Sequence, residues 1–140
     1  MRNLVARMHP LIRATGRVRL FKSHRAGIAD GHQARDFVFV DDVVGVLVGL
    51  VERPLGRGIF NLGSGRARTF LDLVNATFHA MGKTPQVDFI DTPVDLQATY
   101  QYFTEAPMAR LRSAGFAGSP TSLEQGVERY VHALLAASRA

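Results

Sequence analysis

Two stretches of this sequence combine residue types that could do chemistry in a fixed geometry. In Gln33-Ala34-Arg35-Asp36-Phe37-Val38-Phe39-Val40-Asp41-Asp42-Val43, Arg35 stands between a loop rich in glycine and histidine (residues 23–34) and an apolar, β-prone run. A guanidinium presents its N–H donors as a rigid fork that matches phosphate oxygens, so an arginine at the end of such a loop is well placed to hold a phosphate. The second stretch is Tyr100-Gln101-Tyr102-Phe103-Thr104. Aromatic rings with hydroxyl tips suit a sugar or a base, offering apolar area and a hydrogen bond together. The same cluster also fits the edge of a core, and the residues alone leave both readings open.

Other motifs carry less. Gly63-Ser64-Gly65 follows a β-prone run and precedes a helix signal, as a dinucleotide loop would. A dinucleotide fingerprint needs a third glycine three residues on, and that place holds Arg68. No acid follows at the distance where a ribose would be gripped. A structural turn is the better reading. The five histidines (His9, His24, His32, His79, His132) show no metal-ligand spacing, and no nucleophile-elbow pattern marks a serine. Asn75-Ala76-Thr77 has the form of a glycosylation sequon but falls inside a helical stretch.

The elements that must position these residues follow from periodicity and caps. Leu4, Val5, Met8, Leu11 and Ile12 recur at helical spacing, which predicts a helix over 3–15 with Pro10 inside and Gly16 as its cap. Strands are expected at 18–21, 37–40, 58–62 and 87–90. A helix over 43–52, capped by Asp41 or Asp42 and stopped by Pro54, is apolar almost all round and should be buried on more than one side. Thr69 and Asp72 form a capping box for a helix to Met81, closed by Gly82. A helix is expected over 104–114, and Thr121 to Glu124 reads as a second capping box. The last helix carries Leu123, Val127, Tyr130, Val131, Leu134 and Leu135 on one face. Alternating helices and short strands make the chain mixed α/β.

Composition sets the outer bounds. The 140 residues suffice for one domain. With no cysteine, the sequence excludes a disulfide framework, a thiolate zinc site, an iron–sulfur cluster and a cysteine nucleophile. No apolar run approaches the roughly 20 residues needed to span a bilayer, and the first ten residues lack a signal-peptide pattern, so a cytoplasmic location is expected. The net charge of +5 is uneven. Residues 1–35 hold eight bases (Arg2, Arg7, Arg13, Arg17, Arg19, Lys22, Arg25, Arg35) against Asp30, a balance of +7, and the remainder carries −2. Such a segment could face nucleic acid, an anionic surface or a phosphorylated small molecule, or be a solvated face.

Three segments together resemble one family. They are Arg35-Asp36-Phe37-Val38-Phe39-Val40-Asp41-Asp42-Val43, Gly58-Ile59-Phe60-Asn61-Leu62-Gly63-Ser64-Gly65, and Tyr100-Gln101-Tyr102-Phe103-Thr104-Glu105-Ala106. The first two resemble extended short-chain dehydrogenase/reductases acting on nucleotide sugars. The third, with Leu20-Phe21-Lys22-Ser23-His24, narrows the likeness to the ADP-L-glycero-D-manno-heptose 6-epimerase family. The resemblance covers nearly all of these residues but only the C-terminal part of that family, which is roughly twice as long. The implied fold is α/β, the substrate-binding part of a Rossmann-type enzyme whose N-terminal nucleotide-binding part is missing here. The segment at about 41–62 would then pack on the missing layers.

The family's activity is C6 inversion of ADP-heptose by transient oxidation and reduction with NADP, for the lipopolysaccharide core. These 140 residues contain neither the NADP loop nor a Tyr-x-x-x-Lys pair, since Lys22 and Lys83 are the only lysines and neither lies in one. The chain by itself is therefore expected to be inactive, with no catalytic or cofactor-binding residue of its own. The resemblance assigns Phe21, Lys22, Ser23 and His24 to the segment lining the substrate's nucleotide, Arg35 to its ADP part, and Tyr100 to a substrate contact. The implied partners are the ADP-sugar, the missing half or a second copy, and a homo-oligomer when complete, with no membrane. Two alternatives stand beside this: a piece of another nucleotide-sugar epimerase or dehydratase, and a non-enzymatic basic module binding nucleotides or nucleic acid, the less favoured.

Overall fold

The computed structural model describes residues 3–116 and 118–138, so Arg2 of the basic segment lies outside the described residues. Ten elements follow in order: α1 (Leu4–Thr15), β1 (Val18–Phe21), β2 (Ala34–Asp36), α2 (Val40–Glu52), β3 (Ala67–Thr69), α3 (Phe70–Ala80), β4 (Val87–Ile90), α4 (Val94–Gln97), α5 (Ala109–Ser113) and α6 (Leu123–Ala137). β1 pairs with β4 in parallel, and β2 pairs with β3 antiparallel. α1, α3 and α6 pack together. Val5, Met8 and Ile12 of α1 meet Leu73, Val74 and Phe78 of α3 and Val127 and Val131 of α6, with Val18 and Leu20 of β1 beneath them. No helix among the described residues is long and apolar enough to cross a membrane.

Local signals explain most boundaries. Asn3 caps α1 by accepting from the Ala6 amide at 2.9 Å, and Gly16 ends it at φ 70°, a conformation that favours glycine. The Thr69–Asp72 capping box has both of its bonds. The second box is shifted by one residue: Ser122, not Thr121, is the N-cap, paired with Gln125. Thr121 is instead held by Asp42, which accepts from its amide and its hydroxyl at 2.7 Å each.

Five expectations are corrected. The strand expected at 37–40 lies at 34–36, because the chain pairs with β3 there and then turns its aromatics inward. Phe37 packs edge-on to Phe70 at 5.7 Å, and Phe39 covers Gly126 of α6. Phe39 is the N-cap of α2, so Asp41 and Asp42 lie in its first turn and complement the helix dipole. Residues 58–62 pair with none of the four strands, and Ile59 is exposed. Helix α2 was expected to be buried on several sides, but none of its residues is buried. Helix 104–114 shortens to α5, with the unforeseen α4 before it.

His9 sits in the α1 face of this core, 6% exposed, with its Nε2 atom buried and unpartnered. Burial, helped by the nearby Arg13 charge, holds its pKa below the ordinary histidine value. The unfolded chain therefore binds a proton that the folded chain resists, so stability should fall as pH drops through the unfolded value of about 6.5. That window lies above the carboxylate range. Urea unfolding between pH 8 and 5.5 should show the decline, and His9→Leu should flatten it without loss of stability at pH 8.

Candidate functional site

The segment 100–104 forms no regular strand, yet it locks onto β2. The Ala34 amide donates to the Tyr102 carbonyl at 2.9 Å, and the Thr104 amide donates to the Ala34 carbonyl at 3.2 Å. The pairing is a single parallel bridge between Ala34 and Phe103. It sets Arg35 against the aromatic cluster. The guanidinium donates to the carbonyls of Ala34, at 2.8 Å, and Gln101, and it lies 5.6 Å from the Phe70 ring centroid. No carboxylate pairs with Arg35 among the described residues. Its charge is oriented and uncompensated, the state in which an arginine takes a phosphate.

The rings beside it meet edge to face. Tyr100 lies 6.3 Å from Phe21, 5.9 Å from His24 and 5.5 Å from Tyr102. Burial raises the Tyr100 phenol pKa above its ordinary value, although the Arg35 charge opposes the rise. Phe21 and Tyr100 open onto a cleft of about 810 Å³ between α1 and the strands β1 and β4. Its floor is Leu20 and Ile90, and Arg7, Arg17 and Arg19 stand at its margin. Arg17 is neutralised by the two oxygens of Asp88, while Arg7 and Arg19 have no ion pair among the described residues. An apolar floor with a cationic margin suits a ligand with a ring at one end and a phosphate at the other.

The structure therefore brings Phe21, Ser23, His24, Arg35 and Tyr100 to one place. Ser23 is fixed by its amide, which donates to Asp30 at 2.6 Å, and its hydroxyl lies 3.4 Å from the Tyr102 hydroxyl. Lys22 points elsewhere: its ammonium pairs with Asp91 at 2.9 Å, beyond the end of β4. Sequence reasoning missed Arg7, Phe70 and Gln33. Gln33 is fully buried between β1 and β2, its amide near the carbonyls of Phe21 and Lys22. Nothing in the sequence marks it. Arg7 was legible only as one of eight bases.

The glycine turn is spoken for. Asp36 Oδ1 accepts from the Ser64 amide (2.7 Å) and hydroxyl (2.5 Å), and Oδ2 accepts from the amides of Gly65 (3.0 Å) and Ala106 (2.9 Å). A Cβ on Gly63 would stand 2.7 Å from that of Ala106, and Gly65 has φ 71°, so both glycines are needed for the turn. Its donors cradle an internal carboxylate and leave no room for a dinucleotide phosphate.

This topology matches part of the fold of extended short-chain dehydrogenase/reductases. The chain superimposes on Helicobacter pylori ADP-L-glycero-D-manno-heptose-6-epimerase with TM-score 0.74 and 24% identity, covering 96% of this chain and 38% of that one. It superimposes on Thermus thermophilus UDP-glucose 4-epimerase, solved with NAD, with TM-score 0.72 and 22% identity, covering 91% and 38%. The chain is 45% identical over 138 residues to the ADP-L-glycero-D-manno-heptose-6-epimerase of Nitratidesulfovibrio vulgaris, covering 99% of this chain and 43% of that protein. It thus spans under half the length of the curated relatives it matches. No family model matches the chain.

Burial pushes the Asp36 carboxyl up, but its hydrogen bonds from Ser64, Ala106 and Gly65 outweigh this and leave its pKa below the ordinary carboxylate value. A depressed native pKa means stability that is present above the unfolded value of about 4 and lost as pH falls through the native one. Asp36→Asn turns an N–H group toward donors and should lower the unfolding free energy by about 1–3 kcal/mol at pH 7. Urea titration of both proteins at pH 7 and pH 3 checks this, and the gap should narrow at the lower pH.

Proposed function

We propose that this chain is the substrate-binding portion of an NADP-dependent ADP-glyceromanno-heptose 6-epimerase. The observation that carries the reading is Arg35, a guanidinium anchored by two carbonyls, free of any carboxylate among the described residues, beside the aromatic cleft. The identity with heptose epimerases supports ADP-heptose among nucleotide sugars. The contribution of these residues is positional. Arg35 neutralises diphosphate charge, Phe21 and Tyr100 offer ring surface, and the sugar is held where a hydride carrier can reach it. The nicotinamide would supply the redox chemistry. The Gly63–Gly65 turn does not fit a dinucleotide, because Asp36 fills it.

The nucleotide-binding half is then the partner of α2 and of residues 53–62. Leu47, Val48 and Val51 of α2 are more than half exposed, as is Ile59, and Val44 nearly so. A complete enzyme of this kind would be cytoplasmic and homo-oligomeric. The divided basic segment argues against a nucleic-acid module: Arg17 and Lys22 are ion-paired, and Arg35 is held by carbonyls.

Two outcomes are expected. Calorimetric titration should show ADP binding in preference to UDP and GDP, and Arg35→Ala should weaken ADP binding by about 1.5–3 kcal/mol with little change in thermal midpoint. Large destabilisation at unchanged affinity would make Arg35 structural. Light scattering should show that the 140-residue chain self-associates and that a separately expressed N-terminal half of the family suppresses this. A cooperatively unfolding monomer that ignores the N-terminal half would remove the support for α2 as an interface.

A further inference from the structure

Tyr102 is 8% exposed and was grouped above only as one aromatic among several, yet its hydroxyl is the meeting point of the site. It accepts from the His24 backbone amide at 2.9 Å and lies 3.0 Å from His24 Nδ1 and 3.4 Å from Ser23 Oγ. The other ring nitrogen, His24 Nε2, lies 3.1 Å from the Gln97 carbonyl. A carbonyl can only accept, so Nε2 carries the hydrogen, and Nδ1 is left to accept from the phenol. One side chain is thereby fastened at both nitrogens and bridges the 23–25 turn, the end of α4 and the 100–104 segment. The tyrosine rings share the arrangement: Tyr102 meets His24 edge-on at 5.2 Å and Tyr100 at 5.5 Å, and Arg25 lies 5.7 Å from the Tyr102 ring centroid.

The same residue is fastened from the other side. Its carbonyl takes the Ala34 amide, directly before Arg35. Tyr102 therefore touches both the loop carrying Ser23 and His24 and the strand carrying Arg35. We propose that Tyr102 is a positioning residue, whose hydroxyl fixes the tautomer and orientation of His24 and so holds the Ser23–His24 turn and Tyr100 in register with Arg35 for a nucleoside diphosphate. On this inference, which rests on the substrate-binding reading above, His24 acts as a clasp with both ring nitrogens engaged. Its imidazole is spent on holding the turn, and the backbone and ring edges around it face the ligand.

The test uses ADP as the probe and the 140-residue chain as the protein. Tyr102→Phe removes one oxygen and keeps the ring. ADP affinity should fall about tenfold, as expected for a lost hydrogen-bonding centre. The thermal midpoint should hold within about 2 °C, since the ring packing is unchanged. The ¹⁵N resonances of the His24 ring should report a single Nε2–H tautomer with a hydrogen-bonded Nδ1 in the wild type and a mixture in Tyr102→Phe. In a double-mutant cycle, Tyr102→Phe should lose most of its effect on ADP affinity in the His24→Ala background. Unchanged ADP affinity in Tyr102→Phe overturns the positioning role and leaves the substrate-binding reading intact, as does an identical His24 tautomer in both proteins. Effects that add in the cycle, or loss of folding in Tyr102→Phe, make the hydroxyl structural and overturn the proposal. A wild-type chain that binds no ADP overturns the substrate-binding reading itself.

Discussion

One short backbone pairing decides where this chain can do anything: the amide and carbonyl of Ala34 are bracketed by Tyr102 and Thr104. Two hydrogen bonds are a modest net stabilisation, of order 1 kcal/mol each. Their effect is geometric. They bring together segments nearly seventy residues apart, neither of which could fix its register alone. Once Ala34 is paired, Arg35 has the Gln101 carbonyl within reach, Asp36 turns under the glycine loop, and Phe37 drops onto Phe70. Three successive residues thereby take three different tasks: an anion-facing charge, an internal carboxylate and a core contact. Displacing the strand by one residue would exchange the faces on which these side chains lie.

The carboxylate in this trio limits what the neighbouring loop can be. A glycine turn with inward amides binds an anion, whether that anion belongs to a ligand or to the protein. Asp36 supplies it from within the chain, and the hydrogen bonds keep the carboxyl ionised despite burial. The anion-binding capacity of the site therefore rests on the arginines beside the cleft. Positive charge concentrated in the first 35 residues has the same logic. Ion pairs with Asp88 and Asp91 remove Arg17 and Lys22 from the account, and Arg7 and Arg19 remain at the cleft as charges unpaired among the described residues.

Signals that depend on near neighbours were legible in the sequence. The Thr69–Asp72 box, the Gly16 cap, the α1 and α6 stripes and strands β1 and β4 all appear where residue type and spacing place them. Signals that depend on distant partners misled. Phe37–Val40 has the composition of a strand, but pairing partners exist only for Ala34–Asp36. Thr121 has the chemistry of an N-cap, and Asp42, 79 residues away, takes it for another use. The site divides along the same line. Arg35 and the 100–104 aromatics stood out by type, since few residues do what they do. Gln33 and the role of Tyr102 did not, because a buried amide and a phenol acquire meaning only from what long-range contact sets against them. The bearing of residues 21–24, 35 and 100 on a nucleotide came from family resemblance; Phe21 and Tyr100 line the cleft, His24 and Arg35 lie beside Tyr100, and the Lys22 ammonium turns to Asp91.

Helix α2 exposes a different constraint. α1, α3 and α6 close on each other, so their amphipathic stripes account for their own burial. α2 has apolar side chains on most of its circumference and no buried residue among its thirteen. An isolated helix of that length is marginal in water, and tertiary burial ordinarily decides whether it persists. Fully burying one Val or Leu side chain is worth about 1.5–3 kcal/mol. Val44, Leu47, Val48 and Val51 together therefore represent several kcal/mol that the described residues leave unrealised. The N-terminal turn of α2 carries Asp41 and Asp42, of which Asp42 is tied to Thr121 just before α6, and toward the other end Gly49 and Arg53 lie against the Phe116 ring. Anchored at its start and apolar along its length, it has the form of an element whose orientation is set here and whose burial is completed by another surface. The cleft lies between α1 and the strands β1 and β4. In this chain, the part that would recognise a ligand is thus built on a closed core, and the part that would join a partner is left open.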